Sequence, residues 1–536
     1  MFAGALAVAL LCFLVPNHRY FVDGLMTAIK MRDSGGDWII HPHHILHPLL
    51  PQIVYRMVGE HNSGITELEL LLIWSMCVGV LACWGQMMVF RAGSFGPFAT
   101  LMGLGLFSFS RAIWYFSVTP NQNSTALALH VFTLLAIVIA LRRLPEGPSR
   151  ANIVAIGVLT SLAILASQIN AVLLLPAVYV MFAGEGISKG RKLGNLARYL
   201  GIVALVAGGL FVLTGIILEG VRTPAHFLDW QHSYVYERRW WAQGLVDAIQ
   251  RTWVGSINVL LASVFDRSGL FGNWREGFGT SHWFLQLTLR VGQAIVLAFF
   301  VVETVRAAIT WVRTRPLPPI QTIGVLSALP VMIFSCFWAP ESSNYRILYI
   351  PGFLLFLMPS LVRRYSLDRF APKRAWPIVI VVLSLFAVNF VTQFLPQATP
   401  RNNPYNYEAF ALMSFVEPGS LIIYSGTDEG HMRGLYAQYF LRCHTIMVHE
   451  LVRLVRECPE EVQEGFRDYR EAGSLMLVHQ DALYSDEDVE WMNAVYGMDI
   501  RPGELLEYMN TWTTLGSPLL LINEKRYYPF LPRDGN

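Results

Sequence analysis

The hydrophobic positions of this chain form long uninterrupted runs instead of alternating or amphipathic patterns. A run of about 20 apolar residues is long enough to cross the hydrocarbon core of a bilayer as a helix. Met1–Val15 is like a signal-peptide core, but no basic residue precedes it and no cleavage site follows, so we interpret it as a short first membrane helix. The runs predict about eleven transmembrane helices, at approximately 1–15, 68–90, 97–117, 124–141, 151–167, 170–183, 199–218, 288–307, 320–338, 346–362 and 376–394.

Basic residues in the short connections give the orientation of these helices, because lysine and arginine are enriched in cytoplasmic loops. With the N-terminus in the cytoplasm, every inner connection contains arginine or lysine, whereas the short outer connections near 119–123 and 167–170 contain neither. We therefore predict an integral protein of the plasma or inner membrane whose C-terminal part is extracytoplasmic. The basic residues of the inner connections include Arg91, Arg142, Arg143, Lys189, Arg191, Arg313, Arg363, Arg364 and Arg374.

Three hydrophilic stretches then lie outside the cytoplasm. Within a transmembrane domain at 1–394, the outer loops span 16–67 and 219–287, and the second contains an amphipathic segment, Gly244–Arg267, that we interpret as an interfacial helix. Residues 395–536 alternate short apolar strands near 420–424, 445–448, 474–478 and 518–522 with helical segments near 430–441, 460–471 and 485–496. This alternation predicts a soluble C-terminal α/β domain on an α-helical polytopic membrane protein.

Composition agrees with a membrane protein. Hydrophobic residues make up 54% of the 536 positions and charged residues 15%, below the share of about 25% that is typical of soluble proteins. A net charge of +2 gives no reason to expect a nucleic-acid partner. Of the six cysteines, only Cys443 and Cys458 lie in the polar C-terminal part, and they are expected to form a disulfide if the compartment is oxidising.

The first outer loop holds the densest group of residues that could take part in chemistry. Asp23 follows the first helix, and a carboxylate near the bilayer surface can act as a general base or bind a divalent metal. The alternative is a solvated loop acid or a helix cap. Asp37 and Lys30 lie in the same loop, and His41, His43, His44 and His47 follow. The i, i+4 spacing of His43 and His47 permits metal binding, but hydrogen bonding to a phosphate or acceptor, or a plain interfacial position, is also open.

The order of these motifs resembles a family, the GT-C-type glycosyltransferases that use lipid-linked sugars, especially the protein mannosyltransferase and aminoarabinose transferase branch. Those proteins place an Asp-Glu pair beyond the first helix, followed by a Ser-Gly-Asp-Trp-like step and a His-Pro-Pro-Leu or Lys-Pro-Pro-Leu stretch. Here Asp23 matches the first acid, Gly35–Ile39 match the step, and His47-Pro48-Leu49 or His41-Pro42 match the last element. Gly24 stands where the family has its second acid, so the detailed catalytic arrangement is expected to differ.

A second match lies late in the membrane domain, at Asn344–Pro351. It is similar to the family's Arg-Tyr, apolar, Pro pattern, with Tyr345 and Arg346 in reversed order. An arginine at the outer end of a membrane helix is costly unless it is paired or functional, so it is a candidate for the donor phosphate. The competing interpretation is a snorkelling arginine paired with Glu341.

The resemblance implies an enzyme that transfers a hexosyl or pentosyl group, with inversion, from a polyprenyl-phosphate donor to a lipid, glycan or protein acceptor on the extracytoplasmic face. Asp23 would act as the catalytic base. Arg346, Tyr345, His41, His43, His44, His47, Asp37 and Lys30 would contact donor or substrate. A divalent metal is compatible with the sequence but not required by it, and no metal ligands are assigned.

Two other classes of protein compete with this prediction. A transporter or flippase for a lipid or glycan would use the C-terminal domain for binding, and inverted repeats or paired broken helices would favour it. No convincing internal repeat is visible, and the outer loops are much longer than the inner ones. A catalytically silent relative that acts as an assembly scaffold is the third interpretation.

Overall fold

A computed structural model describes residues 17–533 except 19, 35–36, 60–63, 144–145, 185, 233–240, 243, 263–282, 315–316, 370–371 and 521–524. The predicted helix at 1–15, Gly35 and Gly36 of the predicted motif, and residues 263–267 of the predicted interfacial segment lie outside the described residues. The chain divides into two compact units. The membrane unit contains Asn17, Ser34–Tyr236 and Trp240–Ala398, and the tail unit joins His18–Asp33 to Thr399–Asn536.

Helix α1 (Val22–Asp33) belongs to the tail unit, and the next seventeen helices of the described chain form the membrane unit. These are α2 (Leu46–Val54), α3 (Glu67–Ala92), α4 (Pro97–Ser108), α5 (Arg111–Ser117), α6 (Asn123–Leu141), α7 (Arg150–Ala166), α8 (Leu174–Phe182), α9 (Lys189–Val203), α10 (Gly209–Ile217), α11 (Pro224–His232), α12 (Leu245–Leu260), α13 (Trp283–Arg313), α14 (Pro319–Phe337), α15 (Ser343–Arg346), α16 (Ile350–Tyr365), α17 (Pro372–Asn389) and α18 (Leu395–Gln397). Short 3₁₀-helical or π-helical turns precede or follow several of these helices, at Tyr55–Gly59, Gln168–Leu173, Ala204–Gly208, Ile347–Tyr349, Leu367–Arg369 and Phe390–Phe394.

Seven helical stretches of the described chain are long and apolar enough to cross a membrane: Glu67–Ala92, Asn123–Leu141, Lys189–Ile217, Leu287–Arg313, Pro319–Phe337, Ser343–Tyr365 and Lys373–Gln397. Three shorter apolar helices, Pro97–Ser108, Arg150–Ala166 and Gln168–Phe182, coincide with further predicted spans. The chain is an integral membrane protein. All ten predicted spans after the first fall on helices, but the total of about eleven is not confirmed.

Local sequence signals explain where several helices begin and how closely they pack. Thr66 caps α3 in a reciprocal pair with Glu69, which satisfies two amides that the helix itself cannot. Small residues bring α14 and α16 together, because a Cβ atom on Gly324 would lie 2.6 Å from the Gly352 carbonyl oxygen.

The tail unit is the predicted α/β domain, with α1 added to it. Its remaining elements are α19 (Pro404–Leu412), β1 (Leu421–Tyr424), α20 (Asp428–Leu441), β2 (His444–Met447), α21 (Val448–Glu457), α22 (Pro459–Glu471), β3 (Met476–His479), α23 (Gln480–Tyr484), α24 (Asp486–Tyr496), α25 (Glu504–Trp512), β4 (Thr513–Leu515), β5 (Leu519–Leu520) and β6 (Arg526–Pro532).

The strands of the tail unit form one sheet in the order β2-β1-β3-β6-β4, with β5 also paired to β6. β2, β1 and β3 are parallel, whereas β6 is antiparallel to its neighbours. Successive strand residues point to opposite faces, so Leu421 and Ile423 join one apolar core and Ile422 and Tyr424 the other. Helices therefore cover both faces of the sheet.

The predicted disulfide is wrong, because Cys443 and Cys458 are both free thiols. Cys443 is packed into the apolar core beside Tyr424 and Met447, where it behaves as a small hydrophobic residue. Burial raises the pKa of its thiol to about 12, so it stays protonated. Cys458 lies between α21 and α22 instead.

Candidate functional site

The histidine loop, His41–His47, is docked onto the membrane unit by hydrogen bonds. His43 Nδ1 lies 3.0 Å from the Gln168 side-chain oxygen, and the Gln168 amide nitrogen donates to the Pro42 carbonyl at 3.2 Å. His44 Nδ1 lies 3.2 Å from the Ala166 carbonyl oxygen. Because both partners are acceptors, each imidazole carries its proton on Nδ1.

His47 is the most buried member of the loop, with 2% of its surface exposed. Its Nδ1 lies 3.4 Å from the Thr125 hydroxyl, which also accepts a hydrogen bond from the Trp74 indole at 3.0 Å. Burial lowers the pKa of His47 to about 3, so the ring is neutral near pH 7. A neutral imidazole can share a proton with a phosphate or hydroxyl, but it adds no positive charge to the site.

The i, i+4 pair that suggested a metal does not converge on one point. His43 and His47 bond to Gln168 and Thr125, which lie on different segments, and helix α2 begins only at Leu46. His41 is half-buried, with its ring 5.6 Å from that of His43. Within the described part of the chain, no three or more His, Cys, Asp or Glu side chains form a cluster that could hold a metal ion.

His130 is a buried polar residue that the sequence analysis missed. It lies in the middle of α6 and is fully buried, with Nδ1 2.8 Å from the Asn170 side-chain oxygen and Nε2 3.1 Å from the Ser327 hydroxyl. The Asn170 amide nitrogen donates to the Ala163 and Ala126 carbonyls, so its oxygen must accept from His130. A histidine inside an apolar run was the available signal, since ionisable residues in membrane helices are usually functional or paired.

Arg346 is a buried cation of the membrane unit. Only 1% of its surface is exposed, and its guanidinium donates to the Ser335 carbonyl at 2.7 Å, the Pro340 carbonyl at 2.6 Å and the Ser256 hydroxyl at 3.3 Å. These acceptors are all neutral, and among the described residues Arg346 forms no ion pair with a carboxylate. The Nε–H group has no hydrogen-bond partner among them either.

Glu341 does not pair with Arg346. Its carboxylate lies 3.0 Å from Arg251 of α12, which also contacts Asp247 at 3.4 Å. Tyr345 is half-buried and packs edge-on against Trp338, with ring centroids 6.4 Å apart. The snorkelling interpretation of Arg346 is therefore wrong, since its guanidinium is enclosed by protein.

Helix α12 packs against one side of the Arg346 side chain. A Cβ atom on Gly255 would lie 2.6 Å from the Arg346 Nε and would also overlap the Pro340 carbonyl, so only glycine permits this approach. The adjoining Ser256 supplies the hydroxyl acceptor. The opposite face of α12 exposes apolar side chains, among them Ile249 and Trp253. This distribution is typical of the predicted interfacial helix.

A second arginine of the membrane unit, Arg111, also contacts α12. Its Nε donates to the Gln393 side-chain oxygen at 2.7 Å and another guanidinium nitrogen donates to the Asn258 carbonyl at 3.0 Å. Arg111 was not predicted as a site residue, although it lies inside the predicted span 97–117. α12 thus touches two arginines that are distant in sequence.

The remaining predicted residues lie in more open surroundings. Asp37 is exposed, and its backbone carbonyl, not its carboxylate, accepts from Gln52 at 2.7 Å and Arg56 at 2.9 Å. Lys30 is exposed on α1. Asp23 is half-buried in the first turn of α1, near the positive end of the helix dipole. Asp23 belongs to the tail unit and Arg346 to the membrane unit, and their shared site stays a prediction.

The tail unit has a buried polar cluster of its own around Arg433. The guanidinium contacts Glu408 at 3.1 Å, Asp481 at 3.0 Å and Glu429 at 2.5 Å. Burial alone would lower the pKa of Arg433, but these carboxylates, with Glu408 first, raise it above its usual value. Tyr527 donates to Glu408 as well. The Arg433 guanidinium thus has carboxylate partners on three sides, and the cluster ties α19, α20 and α23 together.

The arrangement of the membrane unit is shared with solved proteins. ArnT from Cupriavidus metallidurans in the apo state superposes with a TM-score of 0.59 at 13% identity, over 98% of this chain and 97% of ArnT. The same enzyme bound to undecaprenyl phosphate gives a TM-score of 0.57 with the same identity and coverage. The Archaeoglobus fulgidus oligosaccharyltransferase in the apo form gives 0.54 at 13% identity, over 98% of this chain and 74% of that protein.

These structures define the class of fold. They are GT-C glycosyltransferases, and the likeness shows that this chain has the GT-C fold along nearly its whole length, as the sequence motifs predicted. No protein-family profile matches the chain. No curated protein matches it in sequence.

Proposed function

We propose that the chain is a membrane glycosyltransferase that moves a sugar from a polyprenyl-phosphate donor to an acceptor. The GT-C fold supports the class of reaction, and a solved structure with this fold, ArnT, is bound to undecaprenyl phosphate. The positive-inside pattern of the loops supports an extracytoplasmic site, with the tail unit on the same side. The sugar is a hexose or pentose, and the acceptor is a lipid, glycan or protein.

The observation that carries this proposal is that Arg346 is buried and that its hydrogen-bond acceptors are all neutral. A buried arginine in a membrane protein is costly unless an anion compensates its charge. Its protein acceptors are two carbonyls and a hydroxyl, which orient the guanidinium but leave its positive charge in place. A phosphate near the outer end of this span would supply the missing negative charge.

The proposed reaction uses Asp23 as the base. The acceptor oxygen attacks the anomeric carbon of the donor sugar as its proton passes to the Asp23 carboxylate. The bond between that carbon and the phosphate oxygen breaks, and the polyprenyl phosphate leaves with the electron pair. Arg346 stabilises the charge that develops on the leaving phosphate, while the histidine loop bonds to donor or acceptor hydroxyls.

The first test identifies the donor and then removes the base. Mass spectrometry of lipids that co-purify with the protein should detect a polyprenyl phosphate or its glycosylated form. With that donor, Asp23→Asn should lower turnover by about 100-fold, because the amide keeps size and hydrogen bonding but cannot accept the proton. The exposed carboxylate of Glu417 provides the matched control, and Glu417→Gln should keep full turnover.

Two results would overturn the proposal. Full turnover by Asp23→Asn would show that Asp23 is not the catalytic base. A purified protein that moves the lipid across vesicles, but transfers no sugar to any acceptor fraction, would assign the chain to the transporter class instead.

A further inference from the structure

The segment that carries Asp23 is anchored to the C-terminal part of the chain at its beginning. Asn403 donates from its amide nitrogen to the His18 carbonyl at 2.8 Å, and Asn406 donates to the same carbonyl at 3.0 Å. Both asparagines lie at the start of α19, where the Asn403 side-chain oxygen also caps the helix by accepting from the Tyr405 amide. The chain entering α1 is therefore held by side chains almost 400 residues away in sequence.

The hydroxyl of Tyr436 forms the second anchor. It is fully buried, accepts from the Tyr20 amide at 2.7 Å and from the Asn403 amide nitrogen at 2.8 Å, and lies 3.5 Å from the Tyr20 carbonyl, to which it donates. The Tyr20 and Tyr436 rings are stacked with centroids 6.0 Å apart. One hydroxyl thus fixes the backbone of Tyr20, three residues before Asp23.

The far end of α1 is anchored as well. Arg32 donates to the Tyr439 carbonyl at 2.8 Å and the Gln438 carbonyl at 3.3 Å, both in the last turn of α20. Carbonyls at the end of a helix lack intrahelical donors and carry its negative dipole, so a guanidinium is a favourable partner. Asp33 accepts from the other side of the same guanidinium at 2.7 Å, which restricts its orientation.

We propose that the tail unit acts as a positioning device for catalysis, in which Tyr436 and Asn403 hold α1 so that Asp23 meets the acceptor. This inference rests on the proposed function for its assignment of Asp23 as the base. Hydrogen bonds at both ends of α1 restrain its shift and rotation, and Leu25, Ala28 and Ile29 bury its apolar face. A displacement of about 1 Å at a reacting group can cost about 100-fold in rate, so precise anchoring directly supports turnover.

Two substitutions separate anchoring from folding. Tyr436→Phe keeps the stacked ring and removes only the hydroxyl. Asn403→Asp keeps the oxygen that caps α19 but replaces the donor to His18 with an acceptor. We expect turnover to fall by about 10-fold or more in each variant while the KM for the lipid donor stays the same. Tyr469→Phe, a substitution at a tyrosine of α22 in the same unit, should leave turnover unchanged.

Hydrogen exchange provides the readout that does not depend on activity. In full-length protein in detergent or nanodiscs, the amides of residues 20–33 should exchange about 10-fold faster or more in Tyr436→Phe and Asn403→Asp than in the parent or in Tyr469→Phe. The amides of β1 and β3 should keep their protection, which shows that the tail unit remains folded.

The outcomes distinguish this inference from the proposed function. Unchanged exchange at residues 20–33, or faster exchange with full turnover while Asp23→Asn is inactive, would overturn the positioning role and leave the glycosyltransferase assignment standing. Full turnover by Asp23→Asn would instead overturn the assigned base, and with it the catalytic consequence of anchoring. Faster exchange together with a lower kcat and an unchanged donor KM supports the inference.

Discussion

Among the described residues, each unit of the molecule buries one arginine almost completely, and the two are held in opposite ways. Arg346 of the membrane unit donates to two carbonyls and a hydroxyl. Arg433 of the tail unit contacts three carboxylates. The exposed fractions of the two side chains are similar, 1% and 6%, so the difference lies in their partners and not in their burial.

This difference is the basis for our proposal that Arg433 serves the fold and Arg346 serves a ligand. A guanidinium enclosed by carboxylates is compensated and contributes to folding, because removing it would leave buried anions. A guanidinium oriented by neutral oxygens remains positive at a place where water is scarce. Such a group retains much of its attraction for an incoming phosphate, which is the basis of the proposed donor site.

The largest expected effect is on the stability of the tail unit. Arg433→Met should lower its free energy of unfolding by about 3–5 kcal/mol, because Glu408 would stay buried without its partner. Denaturant unfolding followed by near-UV circular dichroism measures this loss. Adding Glu408→Gln should restore much of it, and a single variant as stable as the parent would contradict a structural role for the cluster.

The second effect is on donor binding. Arg346→Met should weaken binding of polyprenyl phosphate by about 100-fold, which corresponds to about 2.7 kcal/mol, because the phosphate loses its charged partner. Isothermal titration with a short-chain analogue in detergent measures it. Thermal stability should fall less than in Arg433→Met, since no buried carboxylate is left behind.

The control for Arg346 is Arg222→Met, which removes an exposed arginine of the membrane unit and should keep the parent affinity. An affinity unchanged in Arg346→Met would show that Arg346 does not bind the donor phosphate, and the proposed difference in role between the two arginines would be wrong.

A third effect is the loss of stability of the histidine loop in mild acid. His47 has a folded pKa of about 3 against about 6.5 unfolded, so the stability gained from its neutral form is complete above pH 6.5 and is lost as pH falls towards 3. At pH 5 the loss is about 2 kcal/mol. Hydrogen exchange of residues 41–54 should accelerate between pH 7 and pH 5, after correction for intrinsic rates.

The tail unit should also lose stability as pH falls below about 6.5, because burial lowers the pKa of His479 to about 3. Burial alone would raise the pKa of Glu504, but hydrogen bonds from the Arg501 amide and the Tyr508 hydroxyl help to lower it below its usual value. Its stabilising contribution is therefore present above its unfolded pKa and is lost only as pH falls below about 4.3. In the histidine loop, His47→Asn should reduce the change between pH 7 and pH 5, and the remainder is expected from His44, whose pKa burial lowers to about 4. A change as large as in the parent would exclude a contribution from His47.

The smallest expected effect comes from the packing of α12 against Arg346. Gly255→Ala should weaken donor binding by about 10-fold, because the added methyl group overlaps the Arg346 guanidinium and overpacking costs about 1–3 kcal/mol. The same titration measures it. Gly209→Ala in α10, where an added Cβ meets nothing within 4 Å, should keep the parent affinity.

Much of the fold was predictable, since long apolar runs predict membrane helices and alternating elements predict an α/β domain. Strand β6 was missed because Pro529 and Pro532 remove backbone donors, which argues against a strand in the sheet interior. Arg346 and the histidine loop were found as candidates from their positions in the chain. Their partners were not, because the contacts of Arg346 with Ser256 and of His47 with Thr125 depend on tertiary packing.

The anchoring of α1 also has a consequence for biosynthesis. The Tyr20 amide and the Tyr436 hydroxyl are separated by 416 residues. At about 5–20 residues per second, the ribosome needs roughly 20–80 s to make the second partner after the first has left it. Throughout that interval α1 lacks its hydrogen bonds to Tyr436 and Asn403, so a prematurely terminated chain can contain all the membrane helices without an anchored α1. Under the proposed positioning role, Asp23 reaches its final position only after the end of translation.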